Sequence, residues 1–82
     1  MNLILLTETI VKGIVKNPNS VSVKEFETNE ENTMLIDVTV EADDMGVVIG
    51  KEGKVANAIR TLVQASSYLE DNKRIQINID SF

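Results

Sequence analysis

The sequence predicts an α+β fold, a three-stranded sheet with helices packed on one face, and three observations carry that prediction. Apolar residues recur at helical spacing near the N-terminus and again after residue 53. They alternate with polar residues over 33–41 and 73–79, the period of half-buried strands. Short polar turns separate these runs, so the order reads helix, strand, strand, helix, helix, strand. The 82 residues suit one domain, 1–82, with a modest core, and contain no internal repeat, linker or low-complexity stretch.

The first helix is expected over residues 3–16. Leu3, Leu6, Ile10 and Ile14 mark its apolar stripe, and Ile4, Val11 and Val15 widen it. Asn17 before Pro18 should stop it, because the residue before proline avoids helical angles. A stripe this broad suits a helix covering a sheet; contact of part of it with a partner chain is the alternative. Residues 21–28 read as a strand with Val21 and Val23 on one face, and the period falters at Glu25 and Phe26, which allows a bulge. The turn Asn29-Glu30-Glu31-Asn32 leads into a strand over 33–41, with Met34, Ile36, Val38 and Val40 facing one way. Asp43 or Asp44 can cap a short helix running to Ile49, which Gly50 ends. A further helix starts after Gly53, with Val55, Ala56, Ile59, Leu62 and Val63 on one broad face. Asp71-Asn72 reads as a turn, and Ile75, Ile77 and Ile79 alternate with Gln76 and Asn78 in the last strand.

Composition narrows the chemistry. The chain has no cysteine and no histidine, which removes disulfides, thiolate metal sites and the commonest general bases and nucleophiles. No catalytic residue, metal site or cofactor is expected. A net charge of −5 argues against gripping nucleic acid by bulk charge, so any such binding needs local geometry and a few placed cations. Leu3-Ile4-Leu5-Leu6 is too short for a secretory core, and no stretch reaches membrane-spanning length. A cytoplasmic protein without membrane insertion is the expectation.

The chemistry concentrates at Gly50-Lys51-Glu52-Gly53. Glycine at 50 and 53 permits backbone angles closed to other residues and lets a ligand approach the main chain. The helix start that follows offers unpaired N–H groups and a partial positive charge, which suit a phosphate. Lys51 and Lys54 add ammonium groups there, so a phosphodiester backbone can lie across the turn. Ile49, Ala56 and Ile59 are spaced to line one wall of a shallow apolar groove, with Ile36 and Val38 as its floor or opposite wall. Such a groove selects unstacked bases and hence single strands. Arg60 extends the basic edge, or is a plain surface arginine. Tyr68, Phe26 and Phe82 are the aromatic residues and none falls within the motif, which disfavours aromatic stacking platforms.

Val48-Ile49-Gly50-Lys51-Glu52-Gly53, followed by Ala56 and Ile59, resembles the KH signature. With Asn17-Pro18, the run from Asp44 to Gly53, and Ala56-Asn57-Ala58-Ile59-Arg60-Thr61-Leu62-Val63, nearly the whole chain resembles the small bacterial KH-domain RNA-binding proteins of the KhpA family. The resemblance implies a type II KH domain whose loop clamps roughly four nucleotides of single-stranded RNA. It further implies an RNA chaperone or post-transcriptional regulator that pairs with a larger KH-containing RNA-binding protein; a homodimer is the other partnership the apolar helix faces allow. A link to cell-envelope growth and cell length is implied as well. Two positions depart from the family pattern: Val47 where a basic residue is frequent, and Glu52 where an uncharged or basic one is. The competing reading is a protein-interaction module, using the apolar face of helix 3–16 or helix 54–68 for dimer contacts, with RNA binding secondary.

Overall fold

The computed structural model describes residues 2–70 and 72–82. The elements are α1 (Leu3–Lys12), β1 (Ser22–Phe26), β2 (Thr33–Val40), α2 (Met45–Ile49), α3 (Lys54–Glu70) and β3 (Arg74–Ser81). Short 3-10 turns at Pro18–Ser20, Ala42–Asp44 and Lys51–Gly53 join them. The predicted α+β class and element order are both observed. Among the described residues, no helix is long and apolar enough to cross a membrane.

The sheet order is β1-β2-β3. β1 runs antiparallel to β2, from Ser22 opposite Thr39 to Phe26 opposite Leu35, without a slip. The bulge that the faltering period allowed near Glu25 is therefore absent: Glu25 keeps the register opposite Ile36 and is exposed. β3 runs parallel to β2, from Thr33 beside Arg74 to Val40 beside Ser81. A parallel neighbour requires a crossover, and α2 and α3 supply it.

α1 lies over β1, α3 lies over β3, and the two helices touch. β2 runs in the middle of the sheet beneath them, and its alternate residues Met34, Ile36, Val38 and Val40 are buried as its pattern demands. Leu3 and Val11 from α1, Val48 from α2, Ile59 and Val63 from α3, and Ile77 from β3 complete this core. Burying each such side chain contributes roughly 1.5–3 kcal/mol.

α1 is shorter than predicted. The Asn2 side chain caps its start by accepting from the Leu5 N–H at 3.1 Å. It ends at Lys12, and the Gly13 N–H is shared between the Thr9 and Ile10 carbonyls. A helix continuing to residue 16 would direct the Lys16 N–H to its own preceding turn. Instead that N–H donates to the buried Asp44 carboxylate, 28 residues along the chain, at 3.0 Å. The low helical propensity of Gly13 makes the exit inexpensive. Pro18 then opens a 3-10 turn rather than terminating α1.

α3 is sewn to β3 by polar side chains. Ser67 Oγ donates to the Lys73 carbonyl at 2.7 Å and accepts from the Lys73 N–H at 3.1 Å. Gln64 donates through Nε2 to the same carbonyl and accepts the Ile75 N–H at Oε1, both at 2.8 Å. Asn72 is left-handed, with its N–H returning to the Ser67 carbonyl at 2.7 Å; Asp71, the other residue of the expected turn, lies outside the described residues. Leu62 does not share the buried face of α3 with Ala56, Ile59 and Val63, and is 51% exposed.

Candidate nucleic-acid interface

The loop between α2 and α3 is built by three consecutive decisions of the backbone. α2 is only five residues long, and Val48 holds it by burying its whole side chain. At Gly50 the chain takes φ 76° and ψ 176°, a region essentially reserved for glycine. A Cβ there would lie 2.8 Å from Val55 Cβ and 2.9 Å from Val55 N, so the start of α3 presses directly against a bare main chain. Glu52 is left-handed at φ 58°, ψ 26°, and Gly53 follows at φ 76°, where a Cβ would make only an ordinary contact with Asn57 Nδ2 at 3.9 Å. The Gly53 N–H donates weakly to the Gly50 carbonyl at 3.3 Å.

This shape leaves Lys51, Glu52 and Lys54 exposed around the first turn of a 17-residue helix, whose dipole favours an anion there. Ile49 is half-buried beside Gly50, and Val47 is exposed. The two lysines, the accessible backbone of Gly53 and the helix start thus come together as the sequence suggests.

The groove residues separate into two groups. Ile36 and Val38 are 0% exposed, in the central strand beneath α1 and α3, and form neither floor nor wall of any accessible groove. Ala56 and Ile59, 2% and 4% exposed, face inward from α3 and support the site from beneath. Arg60 does reach the surface, but its guanidinium is anchored. Nε and Nη2 donate to the Ile77 carbonyl and Nη1 to Asn57 Oδ1, all at 3.3 Å. An open hollow of about 440 Å³ lies between α3 and β3, lined by Arg60, Thr61, Gln64, Ala65, Tyr68 and Ile75.

Asp44 is the residue of the site that sequence reasoning misassigned. It occupies the N-cap position of α2 but makes no side-chain cap bond. Its carboxylate instead accepts from the N–H of Lys16 at 3.0 Å, the N–H of Asn17 at 3.1 Å and Asn17 Nδ2 at 3.0 Å. Burial alone would raise this carboxyl; those hydrogen bonds and the Lys16 charge outweigh it and hold it below its ordinary value of 3.8. The contact fixes the entrance of α2, and hence the loop, against the exit of α1. The motif Asn17-Pro18 was its visible half.

A βααβ unit whose helices meet at a two-glycine turn, preceded by a helix and a strand, defines a KH domain of the type II order. The family profile described as KhpA/KhpB, KH domain, matches residues 5–79, and the chain belongs to that family. It is 43% identical over 74 residues to the RNA-binding protein KhpA of Caldanaerobacter subterraneus subsp. tengcongensis, covering 90% of this chain and 95% of that protein. It is 38% identical to the RNA-binding protein KhpA of Thermotoga maritima, over 90% and 93% of the two chains. Among solved structures, Aquifex aeolicus Era matches all of this chain over 32% of its own, with a TM-score of 0.64 at 19% identity, a likeness of fold.

Proposed function

We propose that this protein binds single-stranded RNA at the Gly50–Gly53 loop, with phosphates at the start of α3 and bases beside Ile49. Gly50, Lys51, Gly53 and Lys54 hold the backbone; Glu52 stands at the apex and limits affinity by its like charge; Arg60 borders the path. Ala56 and Ile59 set the shape from beneath, and Ile36 and Val38 support the platform as core. The observation that carries this reading is the bare main chain at Gly50, forced by its φ/ψ and by Val55, beside a helix start flanked by two lysines. Membership of a family whose relatives are named RNA-binding proteins supports it.

The cellular reading is an RNA chaperone or post-transcriptional regulator of the cytoplasm, linked to peptidoglycan homeostasis and cell length. It works as a dimer, with a second copy or with a larger KH-containing protein. Exposed Leu62 and Leu69, 51% and 86% accessible and two helical turns apart on α3, support the dimer, because they offer an apolar face the fold leaves uncovered. The direct test is a titration of unstructured RNA against the native chain and the double variant Lys51→Asp, Glu52→Asp. Binding should fall at least tenfold, and equal binding by both proteins refutes the loop. Sedimentation of the native chain and Leu62→Glu tests the dimer separately.

A further inference from the structure

Asp44 is fully buried, yet its side chain is neither apolar core nor helix cap. Both carboxylate oxygens are committed to the chain that leaves α1. Oδ1 accepts the Lys16 N–H, and Oδ2 accepts the Asn17 N–H and Asn17 Nδ2. Residues 13–17 form no helix or strand, so this carboxylate stands in for the carbonyls that a regular element would offer Lys16 and Asn17.

The other side of the contact depends on it too. α2 spans five residues, far short of the length at which a helix holds itself in water. Side chains place it: Val48, fully buried, and Met45, half-buried against the core. Asp44 comes one helical turn before Val48 and is equally buried, so the pair fixes α2 in rotation as well as in position. The backbone between is closed by its own bonds. The Asp44 N–H donates to the Glu41 carbonyl at 2.8 Å, and the Gly50 N–H to the Gly46 carbonyl at 2.9 Å. Residues 44–50 thus form one short rod, with the carboxylate contact at one end and the bare main chain of the loop at the other.

We propose that, within the RNA-binding reading above on which this rests, Asp44 is a positioning residue. Its hold on Lys16 and Asn17 keeps Gly50 and Gly53 in the arrangement that accepts a phosphodiester. Release of that hold lowers the population of the arrangement, and apparent affinity falls with the population. Charge and geometry pull in opposite directions here. Asp44→Asn removes one negative charge from a chain of net charge −5, which by electrostatics alone favours RNA. The same substitution turns an acceptor oxygen into an NH2 group facing N–H donors, because an amide has one oxygen where the carboxylate has two. Positioning therefore predicts weaker binding where charge predicts tighter binding.

The native chain, Asp44→Asn, Asn17→Ala and Ser67→Ala are titrated with a tetranucleotide, which matches the loop's footprint, at neutral pH where circular dichroism shows each protein folded. Asp44→Asn should bind about fivefold or more weakly, by the same factor at every salt concentration because Lys51 and Lys54 are untouched. Asn17→Ala removes one of the three donors and should lose less in the same direction. Ser67→Ala breaks a buried polar contact at the far end of α3 and should bind as the native chain does. Native or tighter binding by folded Asp44→Asn overturns the positioning role and leaves the contact a matter of stability alone. An equal loss in Ser67→Ala also overturns it, because general loosening then accounts for the effect. If Asp44→Asn does not fold, Asn17→Ala decides, and native affinity in that variant overturns the role. Failure of the native chain to bind removes the RNA reading itself.

Discussion

Gly50 and Gly53 share a φ of 76°, yet the fold asks different things of them. Gly50→Ala sets a Cβ against Val55 in a backbone region that residues with side chains avoid. It should cost about 3 kcal/mol in urea unfolding, strain and overlap together. Gly53→Ala meets no close neighbour and should cost about 1 kcal/mol, the left-handed penalty alone. Equal losses would mean that Val55 does not confine the turn. Asp44 gives a prediction in pH. Its carboxyl lies below its ordinary value in the folded chain, so its contribution is full above that value and is lost as pH falls through the folded-state value. Urea midpoints taken from pH 7 downward should therefore drop below about pH 4. Asp44→Asn should unfold more easily at neutral pH and lose this part of the acid dependence; an unchanged slope would exclude Asp44 as its source. The glycine pair was legible in the sequence because a φ requirement is local. Asp44 was not, because its partners Lys16 and Asn17 lie 27–28 residues away, and an aspartate before a helix reads first as a cap.

At the scale of elements, alternation identified β2, one face of which is buried along its whole length, and β3, whose inward face is buried at Ile77 and half-buried at Ile75 and Ile79. Alternation does not say what covers that face. Ile36 and Val38 read equally well as groove or core, and only the seating of α1 and α3 over the central strand decides for core. Ile36→Ala should then cost about 2–5 kcal/mol of stability, measured by denaturation, with RNA affinity of the folded protein unchanged. A variant of native stability with weakened RNA binding would return Ile36 to the groove. Helical periodicity had the same blind spot in α3. Leu62 sits next to Val63 in sequence but about 100° around the helix, outside the buried stripe, and an apolar residue there carries no sign of being left uncovered. The end of α1 was missed for another reason: the apolar pattern runs on to Val15, while the N–H groups that would extend the helix are claimed from a distance by Asp44.

For the whole molecule, the decisive quantity is the contrast between a net charge of −5 and the few cations gathered near one loop. Long-range attraction cannot bring RNA to such a surface, so affinity must come from contact, and its dependence on salt counts the contacts. Each phosphate neutralised on a single strand contributes about −0.7 to the slope of log K against log salt. Lys51 and Lys54 alone predict a slope near −1.4 for a tetranucleotide. A longer strand that also passes Arg60 and Lys73 should approach −2.8. A dimer that holds one strand at two loops steepens the slope again and raises affinity through effective concentration. Its signature is a slope that depends on protein concentration, whereas a single strand passing on to Arg60 and Lys73 gives one that depends only on RNA length. Titrations at several salt and protein concentrations separate the two. A slope near zero for every strand would place the binding energy in apolar contact and remove the lysines from the grip. A steep slope already present with the tetranucleotide would place the RNA on cations away from this loop, such as Lys12, Lys16 or Lys24, and the glycine turn would then be only a corner between helices.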